Sequence, residues 1–281
     1  MRRLSESFLR NLIDGFLREL NKLVIKDADL DLQIRDKYLN IYYKGNSLLK
    51  LDEISPERYR VEIHPEFTGG KTFPDLVNEK TTGDFICQVP SIKERILIKG
   101  KSSLEIEYEQ MIIRANNYER RNNTDYFVID RQVAAGKAGR FDLTGVYWQS
   151  GHRKEKQEVP LCLMEIKFAL NPDIQNLHKQ ISRYYEAVRE KAGSMADEAE
   201  GILHQKIELG HIDQPDYLLK AMKTLTVSKE IENFQFIIIL IDYNPRSSLL
   251  DLDKLKGLPF LNQLKIFRTG FALWWDRFDQ L

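Results

Sequence analysis

The stretch Leu161-Cys162-Leu163-Met164-Glu165-Ile166-Lys167-Phe168-Ala169-Leu170 decides the fold. It is an apolar run with two charges inside it, set between Pro160 and Asn171-Pro172. A short apolar run bounded by turn signals reads as a buried strand. Residues i and i+2 of a strand share a face. Glu165 and Lys167 therefore project side by side, with Leu161 and Leu163, while Cys162, Met164, Ile166 and Phe168 line the other face. Buried charge is costly unless it is paired or binds a metal. An edge strand with one solvated face would carry the same residues without chemistry, so the neighbouring segments decide between the two.

Upstream, Gly139 to Trp148 is a second run rich in β formers, and it contains Asp142. The polar, glycine-containing loop from Gln149 to Glu158 is a hairpin-type connection. It lays the strand of Asp142 beside that of Glu165. Two carboxylates on adjacent strands repel unless a cation sits between them. Hard oxygen donors of this kind suit Mg²⁺, or Mn²⁺ in its place. Downstream, Asn171 as a cap, Pro172 in the first turn and Asp173 at the positive end open a helix. Leu177, Ile181, Tyr184, Tyr185 and Val188 form its apolar stripe. Gln180 and Tyr184 border that stripe. Gln180 is either a surface amide or an amide turned toward the carboxylates.

The order Asp142, then Glu165-x-Lys167, then Gln180-x-x-x-Tyr184 on the next helix resembles the PD-(D/E)XK nuclease superfamily. The segment from Gln180 to Tyr184 looks like the extra motif of its RecB-like branch. Phe141 stands where the family pattern has proline. The resemblance runs from about Leu104 to Val188. It implies metal-dependent hydrolysis of phosphodiester bonds, with nucleic acid, DNA first, as the partner. Asp142, Glu165 and the main-chain carbonyl of Ile166 would hold the Mg²⁺ or Mn²⁺. Lys167 would orient the attacking water, and Gln180 and Tyr184 would shape the rim. The superfamily often carries an acidic residue on the helix before its sheet; Glu109 is the first choice here and Glu105 the second. Lys137, Arg140 and Arg131 lie nearby and can hold phosphates, although solvated charges explain them equally well. Two other readings compete: a binding module that has lost cleavage, and an interaction protein in which Glu165 and Lys167 are only an ion pair.

Around this segment the chain has 281 residues, 42% of them hydrophobic and 30% charged, which is enough for a substantial core. The expected fold is α/β: a restriction-endonuclease-like mixed sheet flanked by helices over residues 100–281, preceded by an α+β portion over 1–99. The 42 Lys and Arg balance the 42 Asp and Glu. A chain with no net charge is not a basic nucleic-acid coat, so any phosphate contact is local. Cys87 and Cys162 form no zinc-type pair, and the five histidines have no zinc spacing. The longest aliphatic run, Phe236 to Ile241, is too short to cross a bilayer. With no signal-like N-terminus, the expectation is a cytoplasmic protein with no membrane partner.

Periodicity assigns the remaining elements. Residues 5–24 read as one amphipathic helix capped by Ser5 or Ser7. Leu39 to Tyr43 and Ser47 to Leu51 flank a hairpin turn at Lys44-Gly45-Asn46. Ile92 to Ile98 reads as a strand. Residues 104–120 read as a helix with Leu104, Tyr108, Met111, Ala115 and Tyr118 on one side. Gly193 to Ala199 reads as a polar break, and Phe234 to Asp242 as a central strand buried on both faces. Trp274 and Trp275 read as packing residues.

Overall fold

The computed structural model describes residues 2–101, 104–134, 136–153 and 157–274. The chain starts with two helices, α1 (Glu6–Ile13) and α2 (Arg18–Lys26), where the periodicity reads as one. The break falls at Asp14-Gly15, and Gly15 packs so close to Asn11 that no side chain would fit there. Ser5 caps α1 by accepting from the Phe8 N–H. A four-stranded antiparallel sheet follows in the order β1 (Leu30–Ile34), β2 (Tyr38–Tyr43), β3 (Asn46–Ser55), β4 (Arg58–Glu62). The hairpin between β2 and β3 turns through Lys44 and Gly45, both at positive φ, as a two-residue primed turn requires.

Three helices come next: α3 (Pro65–Thr68), α4 (Glu79–Ile86) and α5 (Val89–Lys99). The expected strand at 92–98 is thus helix α5. Pro90 suits its first turn, and Val89, Ile92 and Ile96 are buried at helical spacing while Leu97 and Ile98 face out. Tertiary packing overrides the β preference of the isoleucines. Helix α6 (Leu104–Ile113) continues into a π turn over 114–118. Its expected apolar side is the exposed one at Leu104 and Met111, and its buried residues are Glu109 and Ile113.

The second sheet is mixed. It contains β5 (Tyr126–Ala134), β6 (Arg140–Tyr147), β8 (Leu161–Phe168), β10 (Gln235–Ile241) and β11 (Leu264–Thr269), in the order β11-β10-β8-β6-β5. The short strands β7 (Glu158–Val159) and β9 (Thr226–Val227) pair separately. Strands β5, β6 and β8 run antiparallel to their neighbours in that series, and β8, β10 and β11 run parallel. Strand β8 is central and buried on both faces. Leu161 and Leu163 join Phe236, Ile238 and Leu240 on one side. Cys162, Met164 and Ile166 join Ile237, Ile239 and Ile241 on the other. A solvated edge strand is therefore excluded for Glu165 and Lys167.

Helices α7 (Leu177–Arg189), α8 (Ala192–Glu208), α9 (Asp216–Met222) and α10 (Leu252–Lys256) complete the order. The expected break at 193–199 lies inside α8. Its small residues Ala192, Ala196 and Ala199 are buried at helical spacing and let the helix lie close to β5. One apolar cluster takes in α1, α2, the first sheet, α7 and α8 together. Trp274 is partly buried, and Trp275 lies outside the described residues. Among the described residues no helix is long and apolar enough to cross a membrane.

Candidate active site

The site forms where two strands part. The ladder between β6 and β8 pairs Val146 with Leu161, Gly145 with Cys162, Thr144 with Leu163 and Leu143 with Met164. One residue further on, the Asp142 side chain takes over: its Oδ2 accepts the Ile166 N–H at 2.7 Å. A carboxylate thus occupies the place of a strand partner next to Glu165. Ile166 meets Asp142 through its N–H; the carbonyl that the resemblance assigns to a metal is a separate atom of the same residue.

Lys167 Nζ donates to Glu165 Oε1 at 2.6 Å, the contact that same-face spacing on β8 makes available. Gln180 Nε2 donates to the same oxygen at 2.6 Å and to the Tyr184 hydroxyl at 2.9 Å. That hydroxyl in turn donates to the Arg140 carbonyl at 3.0 Å. The chain reaches this arrangement through local signals. Asn171 accepts from the Asp173 N–H, a 3₁₀ turn runs over Pro172–Asn176, and α7 then buries Leu177, Ile181, Tyr184 and Val188. Gln180 is therefore the amide turned inward. Gly139 passes directly over Tyr184: its φ is +131°, and a Cβ there would lie 2.9 Å from the Tyr184 hydroxyl.

Glu165 is 3% exposed and Lys167 6%. Burial, and then the charge of Glu165, push the Asp142 carboxyl up to about 8, against the pull of the Ile166 N–H. Burial also raises Glu165, because it outweighs the favourable charge of Lys167 and the hydrogen bonds from Lys167 and Gln180. Burial pulls Lys167 down, but the charge and hydrogen bond of Glu165 and the charge of Asp142 hold it above its ordinary value. Two carboxyls share one ammonium, so the metal-free pair retains a proton near neutral pH. Among the described residues, the buried Glu165 Oε2 has no hydrogen-bond partner. An unpartnered buried acceptor is expensive and rare.

The helix carboxylates differ from each other. Glu109 is 1% exposed, with Arg131 NH2 2.6 Å from Oε2 and Gln132 Nε2 donating to Oε1 at 2.9 Å. Burial pushes it up to about 7 despite Arg131. Glu105, one turn earlier, is partly buried and its charge acts on Asp142, Glu165 and Lys167. Arg131, expected among the phosphate-holding cations, is instead buried between Glu109 and Asp31, 3.1 Å from the latter's Oδ2. It sits on the edge strand β5, but β1 and α6 cover it there and the two carboxylates neutralise its charge. Arg140 is exposed beside the site. The side chain of Lys137 lies outside the described residues. Gln132 and Asp31 belong to this constellation and carry no motif that sequence reading could have used.

Among the described residues no group of three His, Cys, Asp or Glu side chains is placed to hold a metal ion by itself. Mg²⁺ asks for less, since it keeps several waters and takes one or two protein carboxylates. Asp142 and Glu165, two hard anionic donors with one buried oxygen still unpartnered, fit such an ion. In comparisons with protein-family models, with curated proteins and with solved structures, nothing matches the chain.

Proposed function

We propose that the chain is a metal-dependent nuclease with a restriction-endonuclease-like core, hydrolysing phosphodiester bonds of nucleic acid, with DNA as the first substrate to test. One observation carries the reading. Asp142, Glu165 and Lys167 converge where β6 leaves β8, and Glu165 keeps a buried oxygen with no hydrogen-bond partner among the described residues. Asp142 and Glu165 would hold Mg²⁺ or Mn²⁺. When bound, that ion would supply an acidified water and charge stabilisation at the phosphate.

The protein's own groups divide the remaining work. Gln180 fixes Glu165 by its Oε1 and leaves Oε2 directed elsewhere. Tyr184 fixes Gln180 and ties it to the Arg140 carbonyl. The Ile166 N–H orients Asp142. Lys167 brings an ammonium to the cluster, which offsets negative charge as it grows on the phosphate oxygens. Arg140, exposed at the rim, suits a flanking phosphate. The zero net charge confines phosphate binding to such local groups.

The test is incubation with end-labelled DNA and RNA oligonucleotides, with Mg²⁺ and with chelator. Cleavage that requires the metal and disappears in Asp142→Asn and Lys167→Ala is the expected result. Metal-dependent binding without cleavage would favour the inert binding module. Equal behaviour with metal and with chelator would leave Glu165–Lys167 a structural ion pair.

A further inference from the structure

One chain of buried charges runs from the N-terminal sheet to the site, and the chemistry above does not use it. Arg131 of β5 reaches Asp31 Oδ2 on β1 with one nitrogen and Glu109 Oε2 on α6 with another, at 3.1 and 2.6 Å. Tyr42 of β2 lies with its ring centroid 5.6 Å from the guanidinium. Gln33 Nε2 donates to Asp31 at 2.7 Å, so Asp31 is held in turn. The guanidinium fork suits this task, because it meets two carboxylates in a fixed geometry.

Gln132 adds a second grip, donating to Glu109 Oε1 at 2.9 Å. Neighbouring strand residues ordinarily point to opposite faces. Here two consecutive side chains reach one carboxylate. The cause is in the backbone: Gln132 has φ +56°, in the left-handed region, and the β5–β6 register shifts between Val128 and Asp130. A non-glycine residue takes that conformation at a cost, and such strain collects at functional sites. Helix α6 docks by a narrow apolar edge, Ile113 with the partly buried Tyr108 and Ile112, and buries the Glu109 carboxyl beside it, so the grip on Glu109 adds to that packing.

We infer that Asp31, Arg131 and Gln132 are positioning residues that act through Glu109 to fix helix α6, and with it Glu105, against Asp142, Glu165 and Lys167. The first sheet is then part of the frame of the active site. Helix α6 packs against β8, the strand of Glu165 and Lys167, and Glu105 stands one turn from Glu109 on it. A shift of the helix changes the field in which the reaction runs. The inference rests on the nuclease reading for what the site does; the anchoring of α6 is tested without it.

Gln132→Gly is the decisive variant, since glycine accepts the left-handed backbone and removes the amide. Asp31→Asn, which weakens the hold on Arg131, and Gln132→Asn, whose shorter amide falls short of Glu109, support it. In metal-free protein, hydrogen exchange of the α6 amides should quicken about tenfold in Gln132→Gly, while β8 and β10 stay protected and the melting temperature is no lower than the parent's. On end-labelled DNA at saturating Mg²⁺, kcat should fall about tenfold with KM unchanged, since misplacement costs rate rather than binding. Parent-like α6 exchange in both Gln132→Gly and Asp31→Asn would overturn the anchor. Faster α6 exchange with parent-like kcat would overturn the positioning role. A parent that cleaves nothing while α6 responds upholds the anchor and overturns the nuclease reading alone.

Discussion

Asp142→Asn tests the electrostatics and the proposed metal site in one protein. In the folded chain the Asp142 carboxyl is pushed up to about 8 from an ordinary 3.8, first by burial and then by Glu165. The folded protein therefore keeps a proton that the unfolded chain has released. By linkage, the fold loses stability as pH rises from the unfolded value toward the folded one, and below that window it loses nothing. At about 1.4 kcal/mol per unit, the whole window corresponds to at most about 6 kcal/mol. Asp142 is half-buried and shares its proton with Glu165, so water and coupling reduce the measurable effect to about 2–3 kcal/mol.

Asparagine cannot ionise, and its oxygen still accepts the Ile166 N–H that Asp142 Oδ2 accepts. Urea unfolding in chelator should therefore give equal stabilities for parent and variant near pH 4, and a variant more stable by about 2–3 kcal/mol near pH 8. Added Mg²⁺ should stabilise the parent, by about 2.7 kcal/mol at a hundred times its Kd, and the variant hardly at all. A variant weaker than the parent at alkaline pH would show that the Asp142 charge stabilises the fold, and would refute the crowded-carboxylate argument. A variant with the full Mg²⁺ response would remove Asp142 from the ligands.

Lys167→Ala should lower single-turnover cleavage by about 10²–10³ while calorimetry still detects Mg²⁺ binding; Lys167→Arg should recover only part of it, because a planar guanidinium is not a compact ammonium. Parent-like rates in the alanine variant would take Lys167 out of the mechanism. Tyr184→Phe removes the hydroxyl between Gln180 and the Arg140 carbonyl and should cost about 1 kcal/mol in urea unfolding; no loss at all would show that those hydrogen bonds do not hold the site. Gly139→Ala meets both a φ of +131° and the Tyr184 hydroxyl at 2.9 Å, and should cost about 1–3 kcal/mol. Tyr184→Phe in the same chain should relieve only the contact, and full recovery of stability would place the whole cost there rather than in the backbone.

The second sheet was legible because its strands carry their own signals. Apolar runs bounded by Pro160, Asn171 and Asn244 mark β8 and β10, and the polar loop 149–158 makes β6 and β8 neighbours. The errors have one source. A short segment rich in isoleucine, such as 92–98, satisfies strand and helix templates together, and only the burial of Val89, Ile92 and Ile96 selects the helix. In α8 the small residues that suggested a break are there because β5 lies close against them. A pattern read from one segment cannot show what packs against it.

The site divides along the same line. Glu165 and Lys167 meet because strand parity puts them on one face, and Gln180 and Tyr184 meet because one helical turn separates them. Such contacts follow from spacing alone. Arg131 was misplaced because its partner Asp31 is 100 residues away, and no local pattern says which long-range carboxylate will bury a guanidinium. Gln132 escaped for a sharper reason. Parity places it on the face opposite Arg131, and only a left-handed backbone brings it to Glu109. Where a residue departs from the periodicity of its own element, the departure costs energy that some other contact must offset. At Gln132 the contact that offsets it is with Glu109, the carboxyl that helix α6 buries beside Ile113.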